Sequence, residues 1–283
     1  MHVTRFATAA EFRDRAEAFL VAREAEHNML LGLTTSLAFK PDLYPSQPYF
    51  AVVTDGAAVV AAAVMTPPHN LVLSYQPPPE ALRLLAEDVR AFRPDVPGVM
   101  GAAPGSRQFA EVWQALTGRG FRVNMADRLY RLDTVTVPAG ISGQMRRTAE
   151  ADRSLLLAWV AAFQVAAFGE AEAATVARVV HNMLTLPPEI RSTFVWEDPY
   201  PVTLVSCGGP TPNSLRIGPV YTPVEFRRKG YASALTAAVS QYILDSGRRF
   251  CTLYTDLQNP TSNKIYQNIG YRPVCDVDEY RFE

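Results

Sequence analysis

Apolar positions recur at helical spacing through residues 8–30, with Phe12, Ala16, Phe19 and Leu20 on one face. The next apolar segment, "YFAVVTDGAAVVAAAVM", has a different pattern. Two β-rich runs flank Asp55-Gly56, which predicts a hairpin. "NLVLSY" reads as a short strand, and "PPPEALRLLAEDVRAF" as an amphipathic helix opened by prolines. A strand near Val99, a helix from about Arg107 to Leu116 and a strand pair ending in "ADRLYRLDTV" follow. At "TVTVPAGISGQ" (134–144) the periodicity is lost and Pro and Gly enter. The expected boundary lies there, between a domain of residues 1–137 and one of residues 143–283.

The second half repeats this order. "MRRTAEADRSLLLAWVAAF" predicts a short strand and then a helix, and "AEAATVARVVHNML" a second helix. "STFVWED" and "PVTLVSC" form a hairpin pair, and "LRIGPVYT" is a strand. A helix over 231–245 has Leu235, Val239, Tyr242 and Ile243 on its buried face and Gly247 as its stop. "FCTLYTD" is a strand. "NPTSNKIYQNI" is a helix with Asn259 at its N-cap, Pro260 at its first position and Gly270 past its end. "VDEYRF" closes the chain as a strand. The two halves also match in detail, since Gly120-Phe121-Arg122 falls on Gly270-Tyr271-Arg272, and Tyr130-Arg131 on Tyr280-Arg281. Both observations point to a duplicated fold.

Composition narrows the function classes. The chain has 283 residues, 48% of them apolar and 19% charged, as in ordinary globular proteins. A formal net charge of −1 supplies no global field for nucleic acid or an acidic membrane. The N-terminal stretch carries charges throughout, and the longest apolar run is too short to span a bilayer. Cys207, Cys251 and Cys275 are odd in number and lack metal-ligand spacing, and His27, His69 and His181 are scattered. These features predict reduced thiols in a cytoplasmic protein without a metal centre. Cys251 has no neighbouring base to make it an acyl-carrying nucleophile.

The sharpest local feature is "EFRRKGYASA" (225–234), which joins a strand to a helix. Amides at a helix start have no intrahelical partner, and the helix dipole adds positive potential there. Gly230 permits a tight turn and close approach, Ala232 and Ser233 keep the way clear, and Arg227, Arg228 and Lys229 add charge at the rim. The loop could cradle a diphosphate. By itself it fits an ordinary turn with solvated cations equally well.

Two motifs weigh on that choice. "RRKGYA" fits Arg/Gln-x-x-Gly-x-Gly/Ala through Arg227, Gly230 and Ala232, and "NPTSNKIYQNIGY" fits Asn-x6-Tyr-x3-Gly-Tyr/Phe. In this order, with a strand between them, they resemble the GNAT superfamily of acetyltransferases. The detailed resemblance covers about residues 215–283, and agreement in the order of elements reaches back to 145. The whole chain is similar to a tandem GNAT protein with a degenerate first copy. The resemblance implies an α/β fold of two tandem GNAT-like domains, each a mixed, largely antiparallel sheet flanked by helices. It implies acetyl-coenzyme A (acetyl-CoA) as donor, a small-molecule or peptide amine as acceptor, and no nucleic-acid or membrane partner. The oligomeric state is open.

Carried onto this sequence, the resemblance gives Val220, Tyr221 and Thr222 the thioester arm. Pro219, which cannot donate to a sheet ladder, fits a break in pairing beside them. The loop 227–233, including Tyr231, would hold the diphosphate, Asn259 and Asn263 the pantetheine amides, and Tyr266 would be the general acid. The general base stays open among Glu225, Asp256, Glu279, Glu197 and water. A longer acyl-CoA or an aminoacyl-tRNA donor, or a non-catalytic CoA-binding regulator, are the alternatives. The first half lacks the loop. Pro77, Pro78 and Pro79 stand there with Glu80, and Leu116 and Phe109 occupy the places of Tyr266 and Asn259. The first domain is therefore expected not to bind the cofactor.

Overall fold

The computed structural model describes residues 1–283, the side chain of Phe168 excepted. The first half runs β1 (His2–Phe6), α1 (Ala9–Val21), α2 (Asn28–Phe39), β2 (Tyr49–Asp55), β3 (Ala58–Met65), β4 (Leu71–Leu73), α3 (Pro79–Phe92), β5 (Gly98–Ala102), α4 (Ala103–Thr117) and β6 (Phe121–Leu132). The second runs β7 (Gln144–Arg147), α5 (Arg153–Phe168), α6 (Ala173–Thr185), β8 (Arg191–Glu197), β9 (Pro201–Gly208), β10 (Ser214–Tyr221), α7 (Tyr231–Asp245), β11 (Phe250–Asp256), α8 (Pro260–Ile269) and β12 (Arg272–Phe282). The order of helices and strands is the same in both, as a duplicated fold requires.

Two compact units result. The first contains Met1–Tyr130, Tyr254–Asn263 and Pro273–Glu283, and the second Arg131–Leu253 and Lys264–Arg272. The first crossing falls slightly before the expected 137–143 boundary, and two segments of the second half belong to the first unit. In that unit the strand order is β1-β2-β3-β4-β5-β12-β6. β12 runs antiparallel to β5, with Val277 opposite Ala102 and Arg281 opposite Gly98. In the second unit the order is β11-β10-β9-β8-β7, antiparallel except for β10 against β11.

The apolar run of β2 is explained by burial on both faces. Tyr49, Ala51 and Val53 pack with Leu82, Leu85, Phe109 and Trp113 of α3 and α4. Phe50 and Val52 pack with Phe12 and Leu20 of α1 and Leu30 of α2. Each fully buried side chain of this size contributes about 1.5–3 kcal/mol. In the second unit α5 and α6 cover β8 and β9 through Leu156, Trp159, Val160, Val180, Val195 and Leu204.

Three local expectations need correction. The stretch 8–30 is two helices, since α1 ends at Val21 and α2 starts at Asn28. The expected strand pair before Leu132 is one long strand, β6, and α4 starts at Ala103, before Arg107. The break between α1 and α2 is held by a buried side chain. His27 donates from Nδ1 to the Leu20 carbonyl at 2.8 Å and accepts the Tyr75 amide at Nε2 at 2.9 Å. Periodicity alone could not register a bond to Tyr75, which is remote in sequence.

Both ring nitrogens of His27 are used in its neutral form, and burial pushes the imidazole below its usual 6.5. The unfolded chain takes up a proton near that value and the folded chain resists it, so stability is full above about pH 6.5 and falls below it. Thermal melting between pH 7.5 and 5 should show this loss. In His27→Asn, which has no imidazole to protonate, the acid-side slope should flatten although the variant is less stable at pH 7.

Candidate active site

Within the second unit, β10 pairs in parallel with β11 only from Ser214↔Phe250 to Ile217↔Leu253. On its other side it resumes with β9 at Val220↔Val205 and Tyr221↔Leu204, after an irregularity between Ile217 and Val220. The expected break at Pro219 is present. Gly218, with φ +143°, occupies a conformation open to glycine, and Pro219 has no amide to donate. Beyond Ile217 one edge of β10 therefore has no ladder partner from β11. The strand end is held from the β9 side, where the Thr203 hydroxyl donates to the Tyr221 carbonyl at 2.9 Å and lies 2.7 Å from the Thr222 hydroxyl. Trp159 of α5 packs on the Tyr221 ring, centroids 6.2 Å apart.

The chain then turns through residues 222–230 into α7. Arg228 (φ +63°) and Gly230 (φ +85°) are both left-handed. Gly230 is required on two counts. Its backbone angle disfavours any L side chain, and a Cβ there would lie 2.6 Å from Cδ1 of Ile141. The first bond of α7 runs from the Ala234 amide to the Gly230 carbonyl, so the amides of Tyr231, Ala232 and Ser233 have no partner within the helix. Arg227 is folded back, its Nε donating to the Thr222 carbonyl at 3.0 Å, while Arg227, Arg228 and Lys229 are all exposed. The residues 220–222 and 227–233 expected to act together are thus brought together.

The wall of this loop was not visible in the sequence. Asp198, in the turn between β8 and β9, accepts the Ser142 hydroxyl at 2.5 Å and the Tyr231 hydroxyl at 2.7 Å. The two hydroxyls, Ser142 first, hold the Asp198 carboxyl below its usual range. Trp196 Nε1 donates to the Ser142 carbonyl at 2.7 Å. The segment around 141–142, read from composition only as a linker, therefore packs against the turn that opens α7.

Residues of α8 divide. Asn259 caps the helix as expected, its Oδ1 accepting the Ser262 amide at 3.0 Å. Asn263 accepts the Tyr130 hydroxyl at 2.9 Å and donates to the Asp256 and Asn259 carbonyls, both at 2.8 Å. Its amide is bonded on all sides by the first unit itself, which differs from the open polar stripe expected for 259, 263 and 266. Tyr266 lies in the second unit and is only 8% exposed. Its ring meets Tyr271 edge-on at 6.0 Å, and the Tyr271 hydroxyl lies 2.8 Å from that of Ser240 on α7. Burial pushes the Tyr266 phenol up to about 12, so its Oη keeps a proton at neutral pH.

Among the expected base candidates, Glu197 is paired with Arg146 at 2.6 Å and Glu279 accepts from Asn124 at 2.6 Å. Asp256 accepts the Gln258 amide at 2.7 Å, and Glu225 is exposed. A carboxyl that sequence reasoning missed lies in the first unit. Asp127 on β6 is pushed up to about 7, first by burial and then by the charges of Asp256, Glu279 and Asp278. These neighbours come from two other strands, β11 and β12, so no local pattern could signal it.

Residues 211–281 match the family model described as FR47-like protein. No curated protein is significantly similar in sequence. Solved structures are similar over the whole length. A Drosophila protein superimposes with a TM-score of 0.73 at 12% identity, covering 99% of this chain and 98% of that one. A tandem GNAT protein from the clavulanic acid biosynthesis pathway gives 0.60 at 16% identity, covering 100% and 98%. The chain has a tandem GNAT fold. A GNAT-family acetyltransferase from Colwellia psychrerythraea agrees, with a TM-score of 0.59 at 12% identity over the full length of both chains. At identities of 12–16% these superpositions show the fold alone and leave substrates to be argued from the site.

The residues of this GNAT fold suit coenzyme A at the second unit, through free amides at a helix start, a glycine-lined turn and an unpaired strand edge. The first unit differs. There α3 opens with Pro78 and Pro79 and carries Glu80 in its first turn, and Phe109 is buried against Trp113. Among the described residues no group of three or more His, Cys, Asp or Glu side chains could hold a metal ion. No described helix is long and apolar enough to cross a membrane.

Gly230→Val forces a β-branched residue into a left-handed turn against Ile141. Titration calorimetry with coenzyme A should show a Kd raised tenfold or more, a loss of about 1.4 kcal/mol. Unchanged affinity in a variant that circular dichroism shows to be folded rejects this site.

Proposed function

We propose that the chain is an N-acetyltransferase that takes acetyl-coenzyme A and passes its acetyl group to a primary amine on a small molecule or peptide. The observation that carries the reading is the conjunction in the second unit of three unpartnered amides at the start of α7 with a β10 edge that loses its β11 partner after Ile217. When bound, acetyl-coenzyme A supplies the acetyl group as a thioester, already activated for attack by an amine.

The protein's own groups then have separate tasks. The amides of Tyr231, Ala232 and Ser233, with the positive end of α7, bind the diphosphate, and Arg228 and Lys229 attract it from the rim. Alternate amides of Val220–Thr222 face away from β9 and serve to orient the arm and stabilise a carbonyl oxygen. Tyr266 holds a proton on Oη, which suits a donor and not a base. Fixing donor and amine together is the larger part of the rate advantage. The first unit supports this work without binding the cofactor. The first turn of α3 offers no amide from Pro79 and places the carboxylate of Glu80 where a diphosphate would lie.

Two measurements test the assignment. Tyr266→Phe keeps the ring packing and removes the proton donor, so coenzyme A affinity should hold while kcat falls roughly 10²–10⁴-fold. Full turnover would pass the role to another group or to water. Calorimetry on the whole chain should give one coenzyme A bound, weakened tenfold or more in Gly230→Val and unaffected by Glu80→Gln. Two sites per chain would overturn the division of labour.

A further inference from the structure

The turn between β8 and β9 carries an apolar surface that no core explains. Tyr200 is 56% exposed and Val224 is 72% exposed. The Tyr200 ring lies 5.8 Å from that of Phe226, inclined at 57°. On Phe226 sits a cation, Lys229 Nζ, 5.7 Å from the ring centroid. Isolated apolar side chains on a surface are ordinary, but two aromatic rings meeting there, with an exposed valine two residues from one of them, mark a contact surface. Tight hairpin turns ordinarily carry small polar residues, so a large aromatic at 200 is not what the turn itself asks for.

The position of this surface limits what it can contact. Phe226 is in the same loop as Gly230, just ahead of the free amides of 231–233. Tyr200 is tied to those amides from the other side. Its carbonyl accepts the Asp198 amide at 2.9 Å, and the Asp198 carboxylate accepts the hydroxyl of Tyr231, the first residue of α7. One residue therefore presents its amide to an anion and its hydroxyl to the hairpin that carries the exposed ring. The backbone of Tyr200 is held by the bond to the Asp198 amide and its ring rests against Phe226, so the two rings already lie side by side without a ligand.

We propose that Tyr200 and Phe226 form the platform for the adenine base of coenzyme A. The inference rests on the reading of the second unit as a coenzyme A-binding unit. A ligand whose diphosphate lies on the amides of 231–233 has a flat purine one ribose away, and every base has a π face that stacks on aromatic rings. The inclination of the two rings forms a wedge, so one ring takes the face of the base and the other its edge. Lys229, its Nζ over the Phe226 ring, adds positive charge at the platform. The platform makes affinity depend on the adenosine end of the ligand, separately from the reacting arm.

The test compares two ligands on the intact chain by titration calorimetry: coenzyme A, and 4′-phosphopantetheine, which keeps one phosphate and lacks the whole 3′-phosphoadenosine 5′-phosphate half. Tyr200→Ala and Phe226→Ala should each weaken coenzyme A roughly fivefold or more, the scale of one lost base–aromatic contact. Tyr200→Phe should restore wild-type affinity, and none of the three should change the Kd of 4′-phosphopantetheine. Tyr200 is exposed, so its replacement leaves the core intact, and thermal melting verifies this. Coenzyme A bound normally by both alanine variants, or both ligands weakened equally, overturns the platform and leaves the cofactor reading standing. Absence of coenzyme A binding by the wild-type chain overturns both.

Discussion

The parallel ladder between β10 and β11 stops at Ile217↔Leu253, and the architecture of the second unit follows from that limit. Beyond it Gly218 takes a backbone angle that glycine alone adopts easily, and Pro219 brings no donor, so β10 cannot continue as a central strand. β9 retains the strand through Val220 and Tyr221, and the Thr203 hydroxyl fixes its last carbonyl. The strand is thereby ordered on one edge and open on the other. A shorter ladder costs backbone hydrogen bonds, and it supplies polar main chain that a ligand can use.

The same constraint explains why the following loop is tightly held. Left-handed residues at 228 and 230 bring the chain round, and α7 begins with its first amides directed outward. Ile141 closes over Gly230, and Asp198 gathers the hydroxyls of Ser142 and Tyr231. The two hydroxyl donors hold the Asp198 carboxyl below its usual range, so it stays ionised beside the turn. The loop is braced by contacts from the β8–β9 turn and the 141–142 segment, and by Arg227 folded back onto the Thr222 carbonyl.

The first unit shows what the same order of elements becomes without that constraint. The start of α3 carries prolines in place of free amides, and α4 contributes Phe109 and Trp113 to a stack that continues onto Phe282. Positions that carry polar chemistry in the second half carry packing in the first. A buried aromatic stack stabilises its own unit, and the prolines at the start of α3 differ from the open helix start of α7.

Much of the local structure could be read from the chain alone. The bounds of α7, the turn at Asp55-Gly56, the Asn259 cap and the break at Pro219 depend on side-chain period, backbone angle or a missing donor within a few residues. The loop 227–233 was legible for the same reason. The tertiary structure decided the rest. It joined His27, in the break between α1 and α2, to the Tyr75 amide, closed the amide of Asn263 onto Tyr130, and lifted the carboxyl of Asp127, first by burial and then by charges from other strands. It also placed 254–263 and 273–283 with the first unit. Each of these outcomes depends on partners far apart in sequence. Periodicity reports which face of an element is buried, but it carries no information about which distant donor, charge or strand will lie against that face.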